Sequence, residues 1–165
     1  MRTAEYWVKK LKMDPHPEGG YFKETYKSGE SVKAEHLPER FPGDRAFSTA
    51  IFFLLEGKQV SKFHRIRSEE VWHFYEGSPV VIYYFDEAGE LKELLLGNNP
   101  DNGELPQRVV PAGVWFGAAL LDTDSYMLCG CTVSPGFDFM DFELGSREDL
   151  LKAYPGYSSI IEKLT

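Results

Sequence analysis

Short strand-like segments, separated by turn residues, fill most of this chain. About ten of them alternate apolar and polar side chains or are continuously apolar, with Gly, Pro, Asn and Asp between them. Residues 47–55 form the most apolar segment, and residues 97–103 form a turn cluster. Helical patterns are confined to residues 3–12, the segment after Ser146, and residues 158–163. The sequence therefore predicts one all-β domain over residues 1–165, a sandwich or barrel with short N- and C-terminal helices.

Composition excludes several classes of partner. The chain has 165 residues, of which 42% are hydrophobic and 15% aromatic, enough to build a core without disulfides. Its net charge of −8, with no basic run, disfavours nucleic acid. No segment approaches the roughly 18 apolar residues of a membrane span, and the charged N-terminal residues lack the apolar core of a secretion signal. We expect a cytoplasmic protein with no nucleic-acid or membrane partner.

Three local predictions concern segments outside the central strands. Cys129 and Cys131 lie in a predicted strand, and we expect alternation to direct them to opposite faces as buried, unpaired thiols. Residues 137–144 are expected to form a strand, with Phe137, Phe139, Asp141 and Glu143 on one side. The polar stretch 28–44 is expected to be a long loop at the rim of a pocket.

Residues 61–79 carry the most specific chemical signal. They read as two strands joined by a polar corner, which directs the imidazole of His64 and the carboxylate of Glu70 to one cavity. The first motif of the cupins runs His-x-His, three residues, Glu, six residues and Gly. His64, Ile66, Glu70 and Gly77 occupy these positions without a gap, with isoleucine in place of the second histidine.

A second motif and several longer stretches extend this resemblance. Pro111 and Gly113 match the Pro-x-Gly of the second cupin motif, whereas Phe116 and Leu120 stand where its histidine and asparagine belong. The chain resembles a group of small single-domain cupins of unknown function, related to the dTDP-4-dehydrorhamnose 3,5-epimerase-like branch. The stretches that carry this likeness are HPEGGYFKET, STAIFFLL, EEVWHFYEG and SPGFDFMDFEL. The resemblance implies a cupin jelly-roll β-barrel and a homodimer, but no settled reaction.

The metal site of the cupins is not expected here. A catalytic metal needs three or four protein ligands, and the side chains of Ile66 and Phe116 have no lone pairs. His73 alternates away from the cavity that His64 faces. We therefore predict no metal and no cofactor. A metal-dependent cupin oxygenase or isomerase, using His64, Glu70 and a further ligand, is the second alternative.

The leading hypothesis is a metal-independent pocket for a carbohydrate-like or nucleotide-sugar-like ligand. His64 would be a base, with Glu70 as its orienting partner or as acid, in an isomerase or epimerase. The acid could also be a tyrosine, for which the candidates are Tyr75, Tyr83, Tyr84 and Tyr126. A non-catalytic binding or sensing module with the same pocket is the alternative.

Aromatic and hydroxyl side chains complete the predicted pocket. Those expected from strand positions are Ser48, Thr49, Trp72, Phe74, Trp115 and Phe116. The resemblance to the epimerase-like branch adds Phe22 and Glu24, because an early loop of that branch contributes to the substrate pocket, often that of the partner subunit.

Overall fold

The computed structural model describes residues 2–165, which form thirteen strands and three α-helices. In chain order the elements are α1 (Ala4–Leu11), β1 (Asp14–Pro15), β2 (Tyr21–Lys27), β3 (Ser31–Val32), β4 (Arg45–Ala46), β5 (Thr49–Glu56), β6 (Val60–Arg65), β7 (Glu69–Gly77), β8 (Val80–Phe85), β9 (Leu91–Leu96), β10 (Gln107–Val110), β11 (Phe116–Leu120), β12 (Tyr126–Ser134), β13 (Glu143–Leu144), α2 (Arg147–Ala153) and α3 (Ser158–Lys163). No helix of residues 2–165 is long and apolar enough to cross a membrane.

Two antiparallel sheets face each other across the main core. The first has the order β1-β2-β5-β12-β7-β10 and the second the order β13-β6-β11-β8-β9, while β3 and β4 form a separate hairpin. Inward side chains of both sheets, including Phe53, Trp72, Ile82 and Met127, are almost fully buried between them. This arrangement confirms the predicted all-β jelly roll.

Helix α1 covers part of the outer face of the first sheet. Thr3 is its N-cap, and the Thr3 side chain accepts a hydrogen bond from the Tyr6 N–H at 3.2 Å. The apolar side of α1 packs over Leu54 and Leu128, which point away from the main core. The predicted N-terminal helix is confirmed.

Helices α2 and α3 cover the outer face of the second sheet. Leu150 of α2 and Ile161 of α3 pack against Phe63 and Phe85, and all four side chains are at most 2% exposed. Ser146 caps α2 by accepting a hydrogen bond from the Asp149 N–H. These helices are the predicted C-terminal ones, and they leave the interior between the sheets for the site.

The strand predicted for residues 137–144 is wrong. Residues Phe139–Asp141 form a 3-10 helix, and only Glu143 and Leu144 pair as a strand. The Asp138 carboxylate accepts a hydrogen bond from the Met140 N–H at 2.9 Å, which favours a turn over an extended chain. Two hydrogen bonds of 2.6–2.7 Å then join the Asp141 carboxylate to the buried Arg45 guanidinium. These polar contacts override the apolar alternation.

The predicted orientation of the two cysteines is also wrong. Residues two apart on a strand share a face, so Cys129 and Cys131 both point into the main core. Gly130 between them lies on the outer face, against the ring of Tyr75. Both thiols are buried and free, as expected.

The stretch 28–44 contains more structure than the predicted loop. It includes strand β3 and a 3-10 helix, Ala34–His36. Phe41 in this stretch is buried, at 5% exposure. The Asp44 carboxylate accepts hydrogen bonds from the Lys33 ammonium and the Ala34 N–H at 2.7 and 2.9 Å. The segment is therefore tied into the fold by both packing and local hydrogen bonds.

Candidate functional site

A small, mostly apolar cavity lies between the two sheets. Its volume is about 70 Å³, enough for a few water molecules or a fragment of about four non-hydrogen atoms. Most of its wall is apolar or aromatic, formed by Phe22, Ile51, Phe53, Ile66, Val133 and Phe137. The polar groups that reach it include His16, Glu18, His64 and Glu70.

The loop before β2 brings the first two of these polar groups into the cavity. The backbone of Glu18 accepts a hydrogen bond from the Lys62 N–H at 2.8 Å, which fastens the loop to β6. Gly19 has φ of 114°, and a side chain there would collide with the Val60 carbonyl, so only glycine allows this approach. The Glu18 carboxylate is thereby buried, at 5% residue exposure, and accepts a hydrogen bond from Ser61 Oγ at 2.7 Å.

Both ring nitrogens of His64 contact acceptors. Nε2 lies 2.9 Å from Glu18 Oε2, and Nδ1 lies 2.7 Å from the Lys62 carbonyl oxygen. Because neither oxygen can donate, both bonds form only when the imidazole is protonated. Burial would lower the pKa of His64, but the charge and hydrogen bond of Glu18 outweigh it and raise that pKa. His64 is a buried cation with no free lone pair.

Glu18 and His16 complete this charged group. Burial would raise the pKa of Glu18, but the attraction and hydrogen bond of His64, with smaller contributions from His16 and Ser61, lower it. Burial lowers the pKa of His16, and Glu18 only partly opposes this effect. His16 Nδ1 accepts a hydrogen bond from the Glu18 N–H at 3.3 Å, which leaves the proton of the neutral ring on Nε2.

Glu70 is the buried carboxyl group of the cavity without an ionic partner, since Glu24 is exposed. It is 8% exposed, and within residues 2–165 no cationic side chain lies within 4.0 Å of it. Burial raises the pKa of Glu70 to about 7, helped by the charge of Glu18 and opposed by that of His64. Glu70 therefore exchanges a proton near neutral pH.

His64 and Glu70 do line one cavity, as the sequence predicted, although they come from different sheets. The carboxylate that binds the imidazole is, however, that of Glu18 and not that of Glu70. Four of the predicted ligand-binding residues also line the cavity: Phe22, Glu24, Thr49 and Trp72.

The other four predicted ligand-binding residues lie elsewhere. Ser48 Oγ donates to the Val133 carbonyl at 3.1 Å, and Phe74 packs against the main core. Trp115 packs near the C-terminal helices and stacks with the Arg65 guanidinium, which lies 4.5 Å from its ring centroid. The Phe116 ring lies behind His64, with 4.1 Å between the ring centroids, and supports it without reaching the cavity.

None of the four candidate tyrosines lines the cavity. Tyr75 lies on the outer face of the first sheet, and Tyr126 donates to the Glu76 carboxylate and accepts from the Trp7 indole. Tyr83 packs under the C-terminal helices, and Tyr84 packs against the main core. The groups inside the cavity that can donate a proton therefore include the carboxyl of Glu70 and the ring of His16.

Three cavity residues received no role in the site from the sequence: His16 and Glu18, for which only Phe22 and Glu24 were named near the same loop, and Cys131, which was expected to be a buried thiol. The signal for the first two was the pair of glycines after Glu18, which marks a close backbone approach. No spacing rule connects Glu18 with His64, because they are brought together only when the loop packs on β6.

The donor set does not fit the metal of a typical cupin. Across residues 2–165 no three His, Cys, Asp or Glu side chains are arranged to hold an ion. Ile66 and Phe116, at the positions of two ligands, are 4% and 1% exposed hydrocarbon side chains. Both nitrogens of His64 are already hydrogen-bonded.

The two facing sheets and the cavity between them define this chain as a cupin. Residues 5–145 match the family described as Cupin superfamily (DUF985), and the chain belongs to that family.

Similar proteins have been found in several organisms. Uncharacterized protein YML079W of Saccharomyces cerevisiae is 33% identical over 150 residues, covering 86% of this chain and 74% of the yeast protein. The crystal structure of protein SO0799 from Shewanella oneidensis is 38% identical, with a TM-score of 0.91 over 100% of this chain and 98% of that one. A hypothetical protein from Leishmania major is 33% identical, with a TM-score of 0.87 over 99% of each chain.

More distant likenesses concern the fold alone. Oxalate decarboxylase from Bacillus subtilis is 14% identical, with a TM-score of 0.56 over 92% of this chain and 36% of that one. This similarity supports the jelly-roll topology and carries no reaction to this chain.

Proposed function

We propose that this chain binds one end of a small organic ligand in its cavity and moves a proton through Glu70 without a metal. The observation that carries the proposal is the position of the Glu70 carboxyl, buried in an apolar cavity without an ionic partner. An acid–base group works best when its pKa lies near the working pH, and that of Glu70 is raised to about 7.

The neighbouring groups have fixed roles in this proposal. His64, bonded at both nitrogens, holds a positive charge near the reacting group and takes no proton. Glu18 neutralises that charge, and its own charge helps to raise the pKa of Glu70, which makes the ionised Glu70 carboxylate a stronger base. Proton abstraction next to a carbonyl group, as in an isomerase or epimerase, is the reaction class that suits one buried carboxyl of this kind.

The ligand class is proposed to be carbohydrate-like or nucleotide-sugar-like, with only one end inside. A complete ligand of that size needs about 300 Å³ or more, whereas the cavity offers about 70 Å³. The remainder would lie at the mouth, where the exposed ring of Phe139 and the exposed carboxylate of Glu24 provide an apolar and a polar contact. Aromatic faces beside polar groups are typical of small-molecule sites.

A binding or sensing module is the second candidate. The observation that favours it is that both ring nitrogens of His64 are hydrogen-bonded, so that Glu70 is the buried carboxyl of the cavity without an ionic partner. Such a module would use the same cavity and would need no proton donor opposite Glu70.

Deuterium incorporation tests the proposal. Keto and aldehyde sugars, with their nucleotide-linked forms, are incubated with the protein in D₂O, and loss of C–H signals is followed by ¹H NMR. We expect one of these compounds to exchange at a carbon next to its carbonyl, and Glu70→Gln to slow this exchange at least about 100-fold. The control, Glu93→Gln, changes an exposed residue of β9 and should leave the rate unchanged.

The outcomes of this test separate the candidates. A stabilising thermal shift with some of these compounds, but no exchange, would support the binding module and reject proton transfer. Neither exchange nor stabilisation with the whole panel would reject the ligand class.

We also propose that two copies of the chain associate through the outer face of the first sheet. That face carries Tyr75 and Val109, which are 52% and 50% exposed, beside Phe52, and the Tyr75 ring covers Gly130. The resemblance to the small single-domain cupins implies a homodimer. We assign its contact to this face because uncovered apolar sheet faces mark interaction sites.

Light scattering after gel filtration tests this association. The expected mass is twice the chain mass of 18.8 kDa. Val109→Asp should give the single-chain mass, because it buries a charge in the proposed contact. The control is Leu121→Asp, which changes a residue 57% exposed at the end of β11 and should leave the mass doubled. A monomeric wild-type protein at micromolar concentration would contradict the proposal.

A further inference from the structure

The indole N–H of Trp72 is a buried donor without an acceptor. Trp72 is 1% exposed, and its Nε1 has no hydrogen-bond partner among residues 2–165. The indole of Trp7, in contrast, donates to Tyr126 Oη at 3.2 Å. Buried polar groups are nearly always paired, so an unpaired N–H in a cavity wall indicates a group that the ligand satisfies.

The strand geometry places this donor beside Glu70. Glu70 and Trp72 are two residues apart on β7 and share its inner face, and both line the cavity. The indole lies close enough to lower the pKa of Glu70 to a small extent, although it forms no hydrogen bond of normal geometry with that carboxyl. A ligand atom that accepts from Trp72 would therefore lie near Glu70.

The charges around the cavity indicate which acceptor fits. The buried cation His64 is already neutralised by Glu18 at 2.9 Å, so no free positive charge attracts an anionic ligand. A carboxylate would lie near both Glu18 and Glu70 and be repelled. A hydroxyl group would direct its own proton to the Glu70 carboxylate and so occupy the group that the proposed reaction uses. An uncharged carbonyl oxygen has neither disadvantage.

We propose that Trp72 determines specificity by donating its indole N–H to the neutral carbonyl oxygen of an aldehyde or ketone ligand. This inference rests on the proposed function, because it requires the cavity to bind a ligand. It specifies the orientation of the ligand: the carbonyl oxygen would lie at the Trp72 indole N–H, and the carbon next to the carbonyl would lie beside the Glu70 carboxyl. In that position Trp72 would stabilise the negative charge that develops on the oxygen when Glu70 removes a proton.

Indole NMR tests the inference with the wild-type protein. The chain has three tryptophans, so ¹⁵N-tryptophan labelling gives three indole N–H signals. Trp7→Phe and Trp115→Phe, both outside the cavity, assign the Trp72 signal by elimination. The probes are propanone, propan-2-ol and acetate, which have the same or similar size and fit a cavity of about 70 Å³.

Propanone is expected to move the Trp72 indole proton downfield and to saturate, with the Trp7 and Trp115 signals unmoved. Propan-2-ol and acetate are expected to move it much less. An equal or larger effect of either probe would overturn the carbonyl preference. If propanone moves the methyl signals of Val133 but not the Trp72 indole, the inference fails and the binding cavity stands. If no cavity signal responds to any probe, binding in the cavity itself is rejected.

Discussion

Replacing Glu18 by glutamine is expected to lower the free energy of unfolding by about 3–5 kcal/mol at pH 6, because it leaves a buried cation unpaired. Glutamine keeps the shape and can still accept the hydrogen bond of Ser61, so the change is confined to the charge. Without the Glu18 charge, burial depresses the pKa of His64, and an imidazole that releases its proton to avoid the unpaired charge then loses one of its two hydrogen bonds. Urea unfolding of both proteins measures the difference.

The pH dependence of this difference follows from the two pKa shifts. The folded-state pKa of His64 is raised above 6.5, so its contribution is complete below pH 6.5 and is lost as the pH rises through the raised value. The folded-state pKa of Glu18 is lowered below 4.5, so its contribution is present above pH 4.5 and is lost as the pH falls through the lowered value. The effect of Glu18→Gln should therefore be largest between these limits.

A double variant provides the control. Glu18→Gln combined with His64→Gln removes both charges, and its loss of stability should be smaller than the sum of the two single losses. Additive losses, or a Glu18→Gln effect below about 1 kcal/mol, would contradict the buried ion pair.

Replacing Arg45 by methionine is expected to cost about 3–5 kcal/mol, because the Asp141 carboxylate would keep only the longer contact with Arg67 at 3.3 Å. Arg45 and Asp141 are 3% and 6% exposed and form two parallel hydrogen bonds. This pair holds the 3-10 helix Phe139–Asp141 against the fold. Because Phe137 and Phe139 line the cavity, its mouth should also loosen.

Urea unfolding measures the stability of Arg45→Met, and hydrogen exchange of the Phe139 amide measures the loosening. Arg65→Met is the matched control, since Arg65 makes a similar pair of contacts with Glu143 at 2.7 Å on the surface. Its side chain is 42% exposed, so its loss should be at most about 1 kcal/mol. Equal losses in the two variants would contradict a special role for the buried pair.

The sequence predicted the strands, the turns and the terminal helices because they depend on local rules. Alternation over two residues identified the strands, and the caps Thr3 and Ser146 identified the helix starts. Spacing also placed His64 and Glu70 at one cavity, since the turn between β6 and β7 is short. The same rules wrongly predicted a strand over residues 137–144, because the conformation of this segment depends on a distant partner, Arg45.

The remaining features of the site were decided by the tertiary structure alone. Glu18 meets His64 because the loop before β2 packs on β6, and their 2.9 Å contact joins residues that no sequence period connects. Protonation depends on burial and on neighbouring charges, so the cation at His64 and the pKa of about 7 at Glu70 exist only in the folded chain. The sequence by itself determined the cupin framework and the missing metal ligands Ile66 and Phe116. Folding decided which carboxylate neutralises the histidine and which one is left to exchange a proton, because only packing sets the distances and the loss of water that govern charge.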